Sequence, residues 1–325
     1  MRPAFSVIFL TTLIGAGQGL FLAAFTAESY AAFGILPTVA SSFLALSSVI
    51  ALALVAGGLI ASFFHLGHPE RAWRSATQWR TSWLSREVIV LPAFMGALFL
   101  YGVVHYCEVN PRLGTLPSGA PIELSAVIGS GATVLAITLF IATAMIYASL
   151  RFLREWNTPL TVINYILLGC ASGFTLAAAL SALLQAGLTG FFVGWAIVLT
   201  LAGLVGRTAA LIRNARLKPK STLQTAIGIK HPRIAQKTQG AMGGSFNTRE
   251  FFHGQSAVFV RQAKWAFLLL AFAVPLILLL TNLGAPGREP LLLAFAIQFV
   301  GLMIERWVFF AQASHPQNLY YQVVS

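Results

Sequence analysis

Long apolar runs separated by short polar stretches dominate the chain. Residues 39–64 carry no charged side chain, and seven other stretches are almost as apolar. About 20 helical residues are needed to cross a hydrocarbon core of roughly 30 Å. Backbone groups in lipid must also be hydrogen-bonded within their own segment, which favours helices. The pattern therefore predicts eight transmembrane helices, near residues 5–27, 39–64, 87–107, 124–149, 160–184, 190–212, 265–283 and 290–312.

Composition agrees with this all-α integral membrane class. Hydrophobic residues make up 57% of the 325 residues and charged residues only 9%, whereas a soluble domain has roughly 25% charged residues. The first apolar run starts within five residues of Met1 and lacks a cleavage pattern, so we interpret it as a retained span rather than a signal peptide. We expect a single membrane domain over residues 1–325, built as an eight-helix transmembrane bundle.

Basic residues are distributed unequally between the two sides of this bundle. The net charge is +12. The connections on one side carry many basic residues: Arg71, Arg74, Arg80, Arg86, Arg151, Arg154 and ten Lys or Arg within 213–264. The connections on the other side carry only Arg112 and Arg288. This asymmetry is typical of the positive-inside rule. It predicts a bacterial inner-membrane protein with both termini cytoplasmic and a long basic cytoplasmic loop at 213–264. Topology accounts for the charge, so we expect no nucleic acid partner; lipid and an acidic partner protein remain expected contacts.

The most informative polar stretch is HLGHPERAWRS at residues 65–75, directly after the second span. An imidazole at the headgroup boundary, as predicted for His65, can hydrogen-bond a carbonyl arriving through lipid and can exchange protons with water. A quinone site needs both properties. Gly67 and Pro69 are expected to shape the turn, and Arg71 and Arg74 to hold an anionic intermediate or to contact an electron-transfer subunit.

Two further positions carry ionisable groups near or inside spans. Glu87, at the predicted start of the third span, is the expected proton relay for the quinone. Glu305 and Arg306 lie within the last span, where charged groups usually face the bundle interior or a wet cavity. They either contribute to the quinone site or form an ion pair that fixes helix packing.

These residues also carry a family resemblance. The order HLG-x-P-x-R-A, then LSREV at 84–88, then GLMIERWVFF at 301–310 resembles the DmsC family, the membrane-anchor subunits of dimethyl-sulfoxide-reductase-type molybdoenzymes. The resemblance implies quinone-site roles for His65 and Glu87. It also implies two partners, an iron–sulfur electron-transfer subunit and a molybdopterin catalytic subunit, with ubiquinone or menaquinone as the membrane substrate.

No metal or haem is expected in this chain. Cys107 and Cys170 lack the spacing of an iron–sulfur or zinc site, so iron–sulfur clusters and molybdopterin are assigned to the partner subunits. A haem between helices needs two axial ligands at similar depth. His65 and His105 end antiparallel neighbouring spans and face opposite sides; His65 with His315 remains a geometric possibility.

The preferred function is a quinone-reactive anchor in sulfite oxidation, in character closest to the sulfite dehydrogenase (SoeC-like) anchors, because the quinone rim and the long basic loop are both predicted cytoplasmic. The aromatic and basic residues at 245–254 fit a partner surface or an interfacial segment packed on the bundle. The alternative is the anchor of a dimethyl sulfoxide or other S- or N-oxide reductase, with electrons flowing the opposite way. A purely structural anchor and a secondary transporter are the other two classes; a transporter usually carries polar groups at the midplane, where this chain has little besides Gln18 and Gln298.

Overall fold

The computed structural model describes residues 1–117, 119–184, 186–218, 221–234, 252–284 and 287–316. Within these ranges eight helices are long and apolar enough to cross a membrane. This confirms the predicted fold class, an all-α membrane bundle. The eight helices are α1 (Phe5–Ala32), α2 (Ser41–Phe63), α3 (Trp83–Tyr106), α4 (Leu124–Ala148), α5 (Pro159–Leu184), α6 (Thr189–Ala215), α8 (Ala257–Thr281) and α9 (Arg288–Ala311).

Short elements occupy the connections between these helices. A 3-10 segment (Pro69–Gln78) follows α2, another (Ala186–Leu188) precedes α6, and a short helix α7 (Leu223–Ile227) lies after α6. Strands β1 (Arg112–Thr115) and β2 (Pro121–Glu123) form an antiparallel hairpin between α3 and α4. A π-helical turn (Leu269–Ala273) interrupts α8.

Two helices begin well before the spans expected from hydropathy. Helix α3 starts at Trp83, where the Ser82 hydroxyl accepts a hydrogen bond from the Ser85 amide and caps the helix. Helix α8 starts at Ala257, although Arg261 and Lys264 lie in its first turns. Polar residues in a first turn lower the local hydropathy without breaking the helix, so a hydropathy window detects the span late. As a result Glu87 lies on the second turn of α3 rather than at its mouth.

Helices α1 and α5 form the centre of the bundle. Their most apolar windows are 72% and 78% buried, against 33–44% for the other six spans. Glycines allow the two helices to approach at backbone distance: a Cβ at Gly19 would overlap the backbone of Gly169, and a Cβ at Gly173 would overlap that of Gly19. Small residues spaced four apart, Gly15 with Gly19 and Gly169 with Gly173, are typical of close helix contacts in membranes.

The eight helices pack in two groups of four, one around α1 and one around α5. Helix α1 packs with α2 and α4, and α3 packs with both of those; α5 packs with α6 and α9, and α8 packs with α9. Because successive spans alternate in direction, the starts of α1, α3, α5 and α8 lie at the same end as the ends of α2, α4, α6 and α9. We call the end that carries Met1 the inner end and the opposite one the outer end.

Candidate functional site

The rim segment, residues 65–82, connects α2 to α3 at the inner end and is mostly exposed. His65, Gly67, Arg71 and Arg74 are all exposed. Partial burial of the His65 ring nevertheless lowers its pKa from the usual value, because burial disfavours the charged imidazolium. A neutral imidazole can both donate and accept a hydrogen bond, as a quinone carbonyl and a quinol hydroxyl require.

Gly67 shows no steric reason to be glycine. A Cβ placed there meets no atom within 4 Å, and its φ is not in the left-handed region. Pro69 begins the 3-10 segment at its first turn, a position where its missing N–H costs no hydrogen bond. The expected turn after α2 is therefore present. Its geometry accounts for a proline at position 69 but does not require a glycine at position 67.

Arginine and tryptophan alternate along the rim segment. The guanidinium carbon of Arg74 lies 5.6 Å from the centroid of the Trp73 ring, and the Arg80–Trp79 pair is similar at 5.2 Å. Arg71 lies 3.5 Å from Glu70, measured from Nε to Oε1. Such a surface offers fixed positive charge and aromatic area at once, which suits docking to a protein or to lipid headgroups.

An apolar groove lies directly beside the rim segment. It has a volume of about 390 Å³ and separates the first turns of α1 from the last turns of α2. Its lining is almost entirely hydrophobic and ends at Phe64, the residue before His65; the lining residues are Ser6, Phe9, Leu13, Gly57, Ile60, Ala61 and Phe64. Ligand pockets in proteins generally have volumes of about 300–1,000 Å³, so the groove is large enough for an aromatic head or an isoprenoid chain.

Glu87 lies inside the bundle, in a different cavity. Its side chain is buried, and it accepts a hydrogen bond of 2.5 Å from the Thr143 hydroxyl of α4. The inner cavity beside it also contacts Gln18, Tyr165 and Arg306, and has a volume of about 30 Å³. A water molecule requires roughly 10–15 Å³ measured in this way, so the inner cavity has room for two or three waters and is too small for a quinone ring.

Glu305 and Arg306 belong to a buried ionic cluster that we call the inner triad. One carboxylate oxygen of Glu305 lies 2.6 Å from Nε of Arg207, and the other lies 2.6 Å from Nε of Arg306. The three side chains are 6% exposed or less, and the Arg306 guanidinium stacks 4.1 Å from the Tyr165 ring centroid. The sequence indicated the pair; the third member, Arg207, reaches Glu305 from α6.

The structure brings only some of the predicted site residues together. Glu87 and Arg306 line the inner cavity, and Glu305 is bonded to Arg306. His65 is not among the residues that line it. Ser6, Phe9 and Leu13 of α1 face the groove, whereas Thr11, Gly15 and Gln18 face the inner cavity, so α1 separates the two spaces.

A second polar cluster, not anticipated from the sequence, occupies the outer end. The Glu28 carboxylate accepts hydrogen bonds from Tyr101 at 2.5 Å and from Ser125 at 2.6 Å, and its Oε1 lies 3.3 Å from Nε2 of His105. We call Glu28, Tyr101, His105 and Ser125 the outer cluster. From the sequence, His105 is considered only as a possible haem ligand. The sequence feature that could have indicated this cluster is an acidic residue, Glu28, near the end of one span together with a histidine, His105, near the end of another.

The two glutamines near the predicted midplane donate hydrogen bonds within the protein. The Gln18 amide donates to the Ala136 carbonyl at 2.7 Å, and the Gln298 amide donates to the Thr200 hydroxyl at 3.1 Å. Bonds of this kind tie helices together, which is the ordinary role of polar residues between spans. The expected partner surface at 245–254 falls largely outside the described residues, which resume at 252.

Comparison with known proteins places these features in a family. The family model for the DMSO reductase anchor subunit (DmsC) matches residues 1–312. The chain is also 55% identical, over 326 residues, to one of the sulfite dehydrogenase subunits of Allochromatium vinosum, and the match covers 100% of both chains.

Proposed function

The chain belongs to the DMSO reductase anchor subunit family, and from this we propose that it passes electrons between a docked iron–sulfur subunit and a membrane quinone in a sulfite-oxidising complex. Family membership makes it a multi-pass membrane subunit of a larger oxidoreductase. Sulfite is proposed because the sulfite dehydrogenase subunit is similar along its whole length. Iron–sulfur clusters and molybdopterin are assigned to the partner subunits, as membership of this anchor family suggests.

The observation that carries the quinone proposal is the pairing of His65 with the apolar groove. The groove of about 390 Å³ opens between α1 and α2, and its lining ends at Phe64, the residue before His65. A quinone arriving through lipid would place its chain along Phe9, Leu13 and Ile60, with one carbonyl within reach of the His65 imidazole. Either ubiquinone or menaquinone satisfies this arrangement.

Glu87 is proposed as the proton relay of the same reaction. Reduction of a quinone consumes two electrons, supplied by the iron–sulfur partner, and two protons. The space beside Glu87 is limited to a few waters, which supports proton transfer and argues against direct contact with the ring. His65 and Glu87 thus have separate roles: the first binds the ring, and the second carries a proton along the other face of α1.

Orientation and docking follow from the charge distribution. We propose that the inner end is cytoplasmic in a bacterial inner membrane, because the rim segment and the 213–264 loop carry most of the Lys and Arg. The exposed Arg71 and Arg74 would then face a cytoplasmic iron–sulfur subunit. Cluster-to-quinone electron transfer requires that this docking surface and the quinone lie at the same end, as His65 and both arginines do.

The test compares quinone-linked and dye-linked activity in the assembled complex. His65→Ala removes a hydrogen bond to a partly charged oxygen, worth on the order of 1.5 to 3 kcal/mol, and should lower quinone turnover by roughly 10- to 100-fold. Glu87→Gln should block proton delivery. A soluble dye takes electrons from the partner directly, so dye-linked sulfite oxidation should persist in both variants.

A matched control is His68→Ala, which removes a neighbouring exposed imidazole bonded only to Glu70 among the described contacts. It should leave quinone turnover unchanged. Full quinone-linked activity in both His65→Ala and Glu87→Gln would show that the chain is a structural anchor without a quinone site.

A further inference from the structure

A second small space lies beside the inner triad, on the other side of Arg306 from the inner cavity. This triad cavity has a volume of about 10 Å³, room for about one water. Its lining includes Asn164, Arg207 and Glu305, and it extends to Glu155 in the loop between α4 and α5. Tyr165 and Arg306 line both spaces. One wall of two side chains therefore stands between Glu87 and a half-buried carboxyl at the inner end.

Several buried polar atoms along this line lack a hydrogen bond within the described part of the chain. They are Nη1 of Arg306, Nη2 of Arg207 and Oδ1 of Asn164. Buried polar groups in proteins are almost always bonded to protein or to ordered water. Because each of these residues lines a space with room for water, bound waters are the natural partners, and they would link the two cavities past Arg306.

Towards the outer end the buried face of α1 is apolar by contrast. Glu28 follows Gln18 by ten positions along α1, about 15 Å at 1.5 Å per residue. The buried residues of α1 between them are all apolar or glycine, and Phe21 packs against the rings of Phe94 and Tyr101. Within the described residues, no polar side chain of α1 connects the inner cavity to the outer cluster.

We propose that Glu87 exchanges protons with water at the inner end through a hydrated route past Tyr165, Arg306 and Glu305 that opens at Glu155. This deepens the proposed function and rests on it. Each time Glu87 gives up a proton during quinone reduction, it is left as a carboxylate. Glu155 then passes a proton along the waters towards Glu87, and solvent at the inner end restores the Glu155 proton. Two such transfers and two electrons from the partner complete one quinol.

The charge of the triad sets the form in which the proton moves. Two guanidiniums and one carboxylate carry a net charge of +1, which repels an excess hydronium in a low-dielectric interior. The same positive charge favours the opposite carrier, a hydroxide-like proton vacancy that moves from Glu87 towards Glu155. The N-terminal amine lies close enough to Glu155 to interact with it electrostatically, although burial lowers the pKa of that amine to about 6.

The test uses the complete complex in proteoliposomes with Glu155→Gln. Loss of a positioned proton donor should slow quinone-linked turnover by on the order of tenfold or more, raise the solvent deuterium isotope effect on that turnover, and leave dye-linked activity unchanged. Small weak acids should restore part of the rate, and Glu155→Asp should restore most of it. Glu289→Gln, an exposed carboxyl at the outer end, is the matched control and should behave as the natural protein does. A dye sensitive to pH on the inner-end side should register the proton uptake.

Three results would overturn the route: natural turnover with an unchanged isotope effect in Glu155→Gln, an equal loss of dye-linked activity, or proton uptake from the outer-end side. If Glu155→Gln leaves quinone-linked turnover unchanged while His65→Ala and Glu87→Gln abolish it, the route is wrong and the quinone function stands. If none of the three variants changes quinone-linked turnover, the quinone function itself is wrong.

Discussion

Glu305→Gln should be among the most damaging single substitutions in this chain. Glu305 is the one carboxylate shared by two buried guanidiniums, each held at 2.6 Å, and its side chain is 1% exposed. Gln is nearly isosteric but neutral, so the change leaves Arg207 and Arg306 buried side by side without a counter-charge. Breaking a buried pair by removing one partner typically costs about 3–5 kcal/mol, a large part of the roughly 5–15 kcal/mol that stabilises a native protein.

Arg207→Met provides the comparison that isolates this effect. It removes one guanidinium and leaves Glu305 with Arg306, so the remaining pair is neutral. In the natural protein the guanidinium carbon of Arg207 lies 5.6 Å from the centroid of the Phe267 ring. The Met side chain would fill this apolar space beside Phe267. Replacing buried charge by an apolar group of similar volume is often close to neutral. Arg207→Met should therefore destabilise the protein less than Glu305→Gln, although it removes more atoms.

The assay is the thermal unfolding midpoint of the purified complex in detergent, with the amount of protein in membranes as a second readout. The midpoint should fall by on the order of 5 to 10 °C for Glu305→Gln and by clearly less for Arg207→Met. A midpoint for Glu305→Gln equal to that of the natural protein, or a larger loss of stability in Arg207→Met than in Glu305→Gln, would refute the charge-balance reasoning.

Three further outcomes are expected. Gly173→Ala should destabilise the protein by about 1–3 kcal/mol or more, since its Cβ overlaps the α1 backbone, whereas Gly131→Ala, with open space around it, should be neutral or slightly stabilising; equal midpoints would contradict the close helix contact. The lowered pKa of His65 keeps its imidazole neutral below the usual titration point, so diethylpyrocarbonate, which modifies neutral imidazole, should still react as pH falls below 6.5, as followed by peptide mass spectrometry; a midpoint above 6.5 would contradict the partial burial. Reversing the charge of Arg71 and Arg74 together should release the iron–sulfur partner from membranes, more readily at high salt, and unchanged retention would move the docking surface elsewhere.

The spans could be predicted from the sequence because hydropathy and the hydrogen-bonding demand of the backbone act along the chain. The family could be recognised from HLG-x-P-x-R-A and LSREV, which lie at the ends of α2 and α3. The position of Glu87 was harder, since the polar first turn of α3 delayed the hydropathy signal and suggested a residue at the helix mouth. The helix in fact buries Glu87 against Thr143.

Contacts between spans could not be obtained in the same way. Arg207 and Glu305 are 98 residues apart, and Glu28 and His105 are 77 apart; neither pair has a local pattern that announces it. Helix order around the centre decides which ends meet, and that order depends on packing of small residues. The glycines at 169 and 173 were visible in the sequence, but only the backbone approach of α5 to α1 shows what they are for.

That glycine contact has a consequence for the rigidity of the inner cavity. Gly15 and Gly169 form part of the inner cavity wall, and a wall made of main chain cannot open by a change of side-chain rotamer. On this side the cavity can widen only if the two most buried helices of the bundle separate. The α1–α5 contact thus gives the space beside Glu87 one fixed wall, so any change in its volume must come from the side chains on its other sides.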